Sequence, residues 1–242
     1  AIQPAIESPL LGFGLSLFRP EKILPLSQNT EEYFVQRGWS VLYLPIGVDS
    51  DYFVPATPEE KAALRRKYSI DPDAYVVLHV GHITRGRNLL VLNQIRKQGN
   101  TVLLIISPLF KPDEEVYHSL LEEGCIVWRK YMENIRDAYA LADCYVFPTE
   151  NPSYATEIPL SVLEAMSCNL PVVATRFAAL PRLFSDGDGL LFVEYPDDIP
   201  QQLAELKKNK VVVRTREKAL SYSWERVGAG LEKIYQQLLE KP

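Results

Sequence analysis

The sequence predicts an α/β protein built on a doubly wound parallel sheet, and three observations carry that expectation. From about Tyr75 onward, short apolar runs alternate with segments of helical periodicity. The runs are continuous in hydrophobicity, as expected of strands covered on both faces. The intervening segments carry helix-end signals: Asp113 opens one, and Gly99-Asn100 and Gly124 close two others.

The elements follow in order. KILPLS (22–27) reads as a strand, and NTEEYFVQRG (29–38) as a helix capped by Asn29, with Glu32 three positions on. VLYLPIGVD (41–49) is a short strand running into a loop. Thr57-Pro58-Glu59-Glu60 is a capping box with proline in the first turn, so a helix starts near Pro58. YVVLHV (75–80) is the first buried strand, and NLLVLNQIRKQ (88–98) is the helix after it. TVLLIIS (101–107) is a strand and DEEVYHSLLEEG (113–124) a helix. The alternation continues through CIVW, ENIRDAYALA, CYVF, PLSVLEAMS, PVVAT, AALPRLF and LLFV. In such sheets ligands bind outside the carboxyl ends of the strands.

Composition narrows the function classes. With 242 residues, 47% hydrophobic and 24% charged, the chain can bury a full core in one large domain, or one domain plus part of another. The net charge of -5 argues against nucleic-acid binding. Lys207, Lys208 and Lys210 read as a solvated helix end rather than a membrane patch. Cys125, Cys144 and Cys168 lie far apart and form no C-x-x-C pair, which fits small buried residues in a reducing, cytoplasmic compartment. The N-terminal stretch has no basic region and no cleavage pattern, so it is not read as a signal peptide, and no apolar run approaches the length of a membrane span. P-loop, zincin and nucleophile-elbow motifs are absent, and Gly12-Phe13-Gly14 lacks the third glycine of a dinucleotide fingerprint.

EIPLSVLEAM (157–166), followed directly by SCNLPVVATR, is the most informative stretch. It sets Glu157 and Glu164 around a short apolar helix whose start favours an anion. Phosphates suit the helix end, and ribose hydroxyls suit a carboxylate acceptor. LPIGVDSDYFVP (44–55), VGHITRGRNL (80–89), ADCYVFPTE (142–150) and SWERVGAGLEKIY (223–235) join it in sequence order. Together these five segments resemble the retaining glycosyltransferases of family 4, which have the GT-B fold.

The resemblance implies an organisation and an activity. Residues 1–55 would be the tail of an acceptor-binding domain plus a linker, the bulk of that domain lying outside this chain. Residues 56–222 would be the Rossmann-like domain that binds the nucleotide sugar, the C-terminal half of a GT-B enzyme. Residues 223–242 would be a helix packing back toward the first domain. The implied reaction is transfer of a sugar, with retention, from a nucleoside-diphosphate sugar to an unidentified glycan, lipid-linked or small-molecule acceptor. No cofactor and no metal is expected. Membrane association would be peripheral, through the absent domain, and this chain alone could be inactive.

The implied site is specific. Gly81 ends a strand and lets backbone amides approach a phosphate. The family carries an arginine just after this glycine and a lysine where Arg87 stands, both on the diphosphate. Here the first position is His82, and Arg85 is close enough to substitute. Without the resemblance, Arg85 and Arg87 read as solvated loop charges. Arg87 and Glu157 take catalytic roles, while Leu160 and Ser161 offer helix-end amides and Glu164 the ribose contact. The family's first glutamate falls on Thr156 here, one residue before Glu157. Tyr131 either stacks on a base or plugs the core. His79 reads as a core histidine and His118 as exposed. Two rivals remain: a nucleotide-sugar-binding module without catalysis, and a flavodoxin-like signalling or cofactor domain.

Overall fold

A computed structural model describes residues 20–25, 28–209 and 211–240. The chain divides into two compact units, residues 1–47 with 222–242, and residues 48–221.

In the first unit, helix α1 spans Gln28–Gln36. The helix starts one residue before Asn29, whose side chain lies outside the described residues. The two strands expected around it reduce to one isolated parallel bridge, Ile23 to Val41. Pro25 next to the bridge removes a donor that a longer ladder would use. The C-terminal helix Trp224–Leu239 is capped by Ser223, whose hydroxyl accepts from the Arg226 amide. Its Trp224 ring fills the space where a side chain on Gly47 would stand.

The second unit is the doubly wound domain. Its helices are α2 (Pro58–Lys67), α3 (Val91–Lys97), α4 (Glu114–Glu122), α5 (Arg136–Leu141), α6 (Leu160–Ser167), α7 (Leu180–Leu183), α8 (Ile199–Asn209) and α9 (Thr215–Ala219). Its strands are β1 (Val76–Val80), β2 (Thr101–Ile106), β3 (Ile126–Arg129), β4 (Cys144–Phe147), β5 (Val172–Thr175) and β6 (Leu190–Val193). All five pairings are parallel, in the order β3-β2-β1-β4-β5-β6. This is the Rossmann order, and its topological switch point lies between β1 and β4.

Local chemistry sets the element ends. Thr57 accepts from the Glu60 amide to start α2, and Asp113 accepts from Val116 to start α4. Gly99 follows α3 at φ +83°, as a C-terminal glycine should. One face of the sheet buries Val77, Val102, Leu104, Cys144, Val146 and Val173 with Leu92, Ile95, Leu120 and Leu203. Two carboxylates tie α2 to the domain. Asp143 binds Lys61, Arg65 and the Val76 amide, and Asp137 binds Lys67 and the Tyr68 hydroxyl. Lys207 is not simply solvated, since it reaches Asn100 at 2.6 Å and lies over the Tyr75 ring, while Lys210 lies outside the described residues.

Candidate functional site

The loops after β1 and β4 meet at the switch point, and they are stitched together. Gly81 follows β1 at φ +157°. Its amide donates to the Ile105 carbonyl at 3.0 Å, extending the ladder. That N–H is therefore engaged in the sheet, while the next amide, of His82, has no backbone acceptor among the described residues. What Gly81 contributes is space. A Cβ there would lie 2.3 Å from Arg87 Nη1, so the guanidinium sits directly over the glycine.

Arg87 is delivered by a tight turn, Arg85–Arg87, after which Asn88 is left-handed at φ 56°. Asn88 Nδ2 donates to the Pro148 carbonyl and to Glu150, binding this turn to the loop after β4. Arg87 Nε donates to the Tyr154 carbonyl at 3.0 Å, and the Tyr154 ring takes the place a Gly86 side chain would need. No carboxylate among the described residues pairs with Arg87. Burial lowers its pKa from the ordinary arginine value. A half-buried cation without a counter-ion is costly, and an anion would relieve that cost.

The start of α6 supplies complementary donors. Its N-cap is Pro159, which has no side-chain acceptor to offer, and the amides of Leu160 and Ser161 find no partner among the described residues. Uncapped amides at a helix start attract anions. On the same helix face, Ser161 Oγ lies 2.7 Å from the Tyr145 hydroxyl. One turn on, the Glu164 carboxylate accepts from the Tyr139 hydroxyl. The Tyr139 and Tyr145 rings stack at 6.1 Å, so α5 and β4 together fix both side chains. Burial raises the Glu164 pKa, and the Tyr139 hydrogen bond partly offsets this. Burial raises the Tyr145 hydroxyl pKa, with Glu164 adding to the shift and Arg87 opposing it, so both charges are within electrostatic reach of this one hydroxyl.

Three buried side-chain atoms near the ends of β1 and β4 lack a hydrogen-bond partner: His79 Nε2, Thr84 Oγ1 and Thr149 Oγ1. Unsatisfied buried groups concentrated in one place are a mark of a functional region.

The remaining expected residues are dispersed. Arg85 does not join Arg87, because its guanidinium is held by Asp113 at 2.9 Å and by Glu115. It borders a cavity of about 650 Å³ that Glu115, Glu150 and Asp197 also line, an acidic setting poorly suited to phosphate. His82 is half-buried with its ring 4.2 Å from that of Phe110, and burial, then Arg87, push its pKa down. A neutral imidazole does not replace a phosphate cation. Tyr131 is 84% exposed and so does not plug the core. Glu157 is half-buried, and its carbonyl accepts from Ala179. Thr156 turns its hydroxyl back to the Ile158 carbonyl at 3.0 Å. His118 is exposed beside Glu114.

Sequence reasoning missed Tyr139, Tyr145 and Tyr154. The first two have apolar neighbours on both sides and left one signal, that a buried tyrosine hydroxyl needs a partner. Tyr154 acts through its backbone and left none.

A family model described as glycosyl transferases group 1 matches residues 74–209, more than half of the chain. D-inositol 3-phosphate glycosyltransferase 2 of Catenulispora acidiphila is 27% identical over 226 residues, covering 80% of this chain and 50% of that protein. A glycosyltransferase from Rickettsia africae superposes with a TM-score of 0.78 at 14% identity, covering 92% of this chain and 64% of that one. HepE of Anabaena, solved with UDP-glucose, superposes with a TM-score of 0.76 at 15% identity, covering 94% and 67%. The chain spans half or less of the length of the curated relatives it matches.

Proposed function

Because the chain belongs to the glycosyl transferases group 1 family, with the parallel six-stranded sheet of its GT-B-type neighbours, we propose that residues 48–221 bind a nucleoside-diphosphate sugar and support transfer of the sugar with retention of configuration. The observation that carries this reading is Arg87, a half-buried guanidinium without a carboxylate, held over Gly81 at the switch point. The solved neighbour with UDP-glucose supports a nucleotide sugar as the ligand class.

In this reading the bond between the anomeric carbon and the diphosphate oxygen breaks, and negative charge grows on that oxygen. Arg87 and the open Leu160 and Ser161 amides are placed to stabilise it. Glu164 accepts from the ribose hydroxyls, its orientation fixed by Tyr139. Glu157 approaches the donor sugar, and Tyr131, exposed after β3, offers a ring to the base. The reading needs no metal, since a guanidinium and helix-end amides take the leaving-group charge. The acceptor is a glycan, lipid-linked or small molecule met by protein outside residues 48–221. Among the described residues no helix is long and apolar enough to cross a membrane.

A thermal-shift panel of UDP, GDP, ADP and their sugars tests the proposal. Stabilisation by one base, shared between diphosphate and sugar nucleotide, is expected, and no shift with any of them overturns the reading. The paired Arg85 and neutral His82 favour a second reading, a binding module without transfer. Sugar-nucleotide turnover by this chain within its longest natural form separates the two.

A further inference from the structure

His79 stands inside β1, among valines and leucines, with no exposed surface. A polar ring in a central strand is costly unless its nitrogens are used. One is: Nδ1 lies 3.0 Å from the Val146 carbonyl. A carbonyl only accepts, so Nδ1 carries the proton, and Nε2 of the neutral ring carries a lone pair. Burial keeps the ring neutral by pushing its pKa down to about 4. The ring is held nearly parallel to Tyr145 (6.2 Å, 21°) and tilted against Phe147.

Nε2 itself has no partner. It lies 3.3 Å from the point where a Gly81 Cβ would stand, and Arg87 Nη1 lies 2.3 Å from the same point. The guanidinium occupies the space a side chain on Gly81 would need, and the buried Nε2 lone pair borders that same space.

We propose that His79 is a positioning residue for Arg87: a small displacement of the guanidinium, which already lies over Gly81, brings an N–H onto the unused Nε2 lone pair, and this contact fixes the cation for a diphosphate without neutralising it. A carboxylate in this place would hold Arg87 equally well but would cancel the charge a phosphate needs. A neutral acceptor locked in one tautomer avoids that. The proposal rests on the reading of Arg87 as the diphosphate cation, and its test separates the two.

Inorganic pyrophosphate, UDP, GDP and ADP are titrated calorimetrically against the full chain, its variants His79→Phe, His79→Gln and Arg87→Gln, and the His79→Phe/Arg87→Gln double variant. His79→Phe is expected to weaken binding of pyrophosphate and of the preferred diphosphate by roughly three- to tenfold, the scale of one hydrogen bond. His79→Gln, which keeps an acceptor, recovers most of the loss. In the Arg87→Gln background His79→Phe has no further effect, because the two act as one unit. A merely structural role for His79 would give multiplying losses and no rescue by glutamine, and either result overturns the proposal, as does unchanged binding in His79→Phe.

Nitrogen NMR of the labelled, ligand-free chain gives a readout independent of ligand identity. At neutral pH His79 is expected as the Nδ1-protonated tautomer, with an Nε2 resonance that moves in Arg87→Gln. An Nε2 resonance unmoved by that substitution overturns the proposal even if diphosphates bind. Conversely, if no diphosphate binds the wild-type chain, the donor reading fails while the NMR result still decides the His79–Arg87 contact.

Discussion

Substituting Arg87 by alanine should separate binding from stability. In the ligand-free protein the side chain makes one hydrogen bond to a described residue, from Nε to the Tyr154 carbonyl at 3.0 Å. Losing a single such bond costs about 0.5–1.5 kcal/mol. Removing a half-buried, unpaired cation returns part of that, since burial already disfavours the charged form. The net change in melting temperature should therefore be small. Diphosphate binding should suffer far more. One charge-assisted bond to phosphate is worth about 1.5–3 kcal/mol, which corresponds to a loss of roughly ten- to 150-fold in affinity. A structural ion pair would behave oppositely, because breaking it strands a partner and costs about 3–5 kcal/mol of stability. Thermal melting in parallel with titration calorimetry, using UDP, GDP and ADP, measures both quantities. A large drop in melting temperature with an unchanged dissociation constant would refute the reasoning and remove Arg87 from the site.

Other outcomes follow from the same geometry. Gly81→Ala puts a methyl 2.3 Å from Arg87 Nη1, so the guanidinium must leave its seat; pyrophosphate affinity should fall at least severalfold in calorimetry while circular dichroism stays native. Glu164→Gln keeps an acceptor for the Tyr139 hydroxyl but not the charge, so binding of the free nucleoside should weaken along with that of its diphosphate. An unchanged nucleoside affinity removes the ribose assignment. Burial raises the Glu164 pKa in the folded state, so its stability contribution is fully present below the unfolded carboxylate value and is lost as pH rises through the folded one. Glu164→Gln should then melt higher than wild type at neutral pH, with the advantage vanishing in acid. His79 has the opposite sense: its pKa falls from 6.5 to about 4, so folding loses stability as pH drops through that interval, by about 3 kcal/mol at most. Denaturant titrations of wild type and His79→Phe between neutral pH and pH 4 should diverge accordingly, and parallel curves would count against a buried neutral ring.

The parallel sheet was legible because its strands are continuous apolar runs, and tertiary structure left them little choice. Thr57 and Asp113 announced their helices because a short side chain next to a free amide acts locally. KILPLS misled, since Pro25 inside the run lacks the N–H that would extend the Ile23–Val41 bridge into a ladder. For the candidate site, motif order singled out Arg87 and the amides of Leu160 and Ser161, which the structure leaves with unused donors among the described residues. The role of Gly81 was not, because sequence cannot show that its amide is already spent in the sheet and that the missing Cβ is what matters. Nor could it show that Asp113 and Glu115 claim Arg85, as those carboxylates lie in another element. The tyrosines that fix Ser161 and Glu164 come from α5 and β4, so their function exists only in the fold.

The treatment of the other buried arginines gives the open state of Arg87 its weight. Arg65 is almost fully buried and is satisfied by Asp143 and the carbonyls of Leu141 and Pro72. Arg136 is gripped by Glu60 and the Val54 carbonyl. Arg216 pairs with no carboxylate among the described residues, yet it gives its N–H groups to the carbonyls of Ser50, Phe53 and Ser167. A guanidinium carries five donors, and in these three cases the fold finds several acceptors. Arg87 finds one among the described residues, through Nε, while both terminal nitrogens remain unclaimed. The same chain that satisfies its structural arginines leaves the terminal nitrogens of this one open, in a domain whose α6 starts without a cap and whose His79 keeps a spare lone pair. Poor packing would scatter such defects over the domain. Their grouping near the switch point of the sheet is what the proposed diphosphate reading predicts.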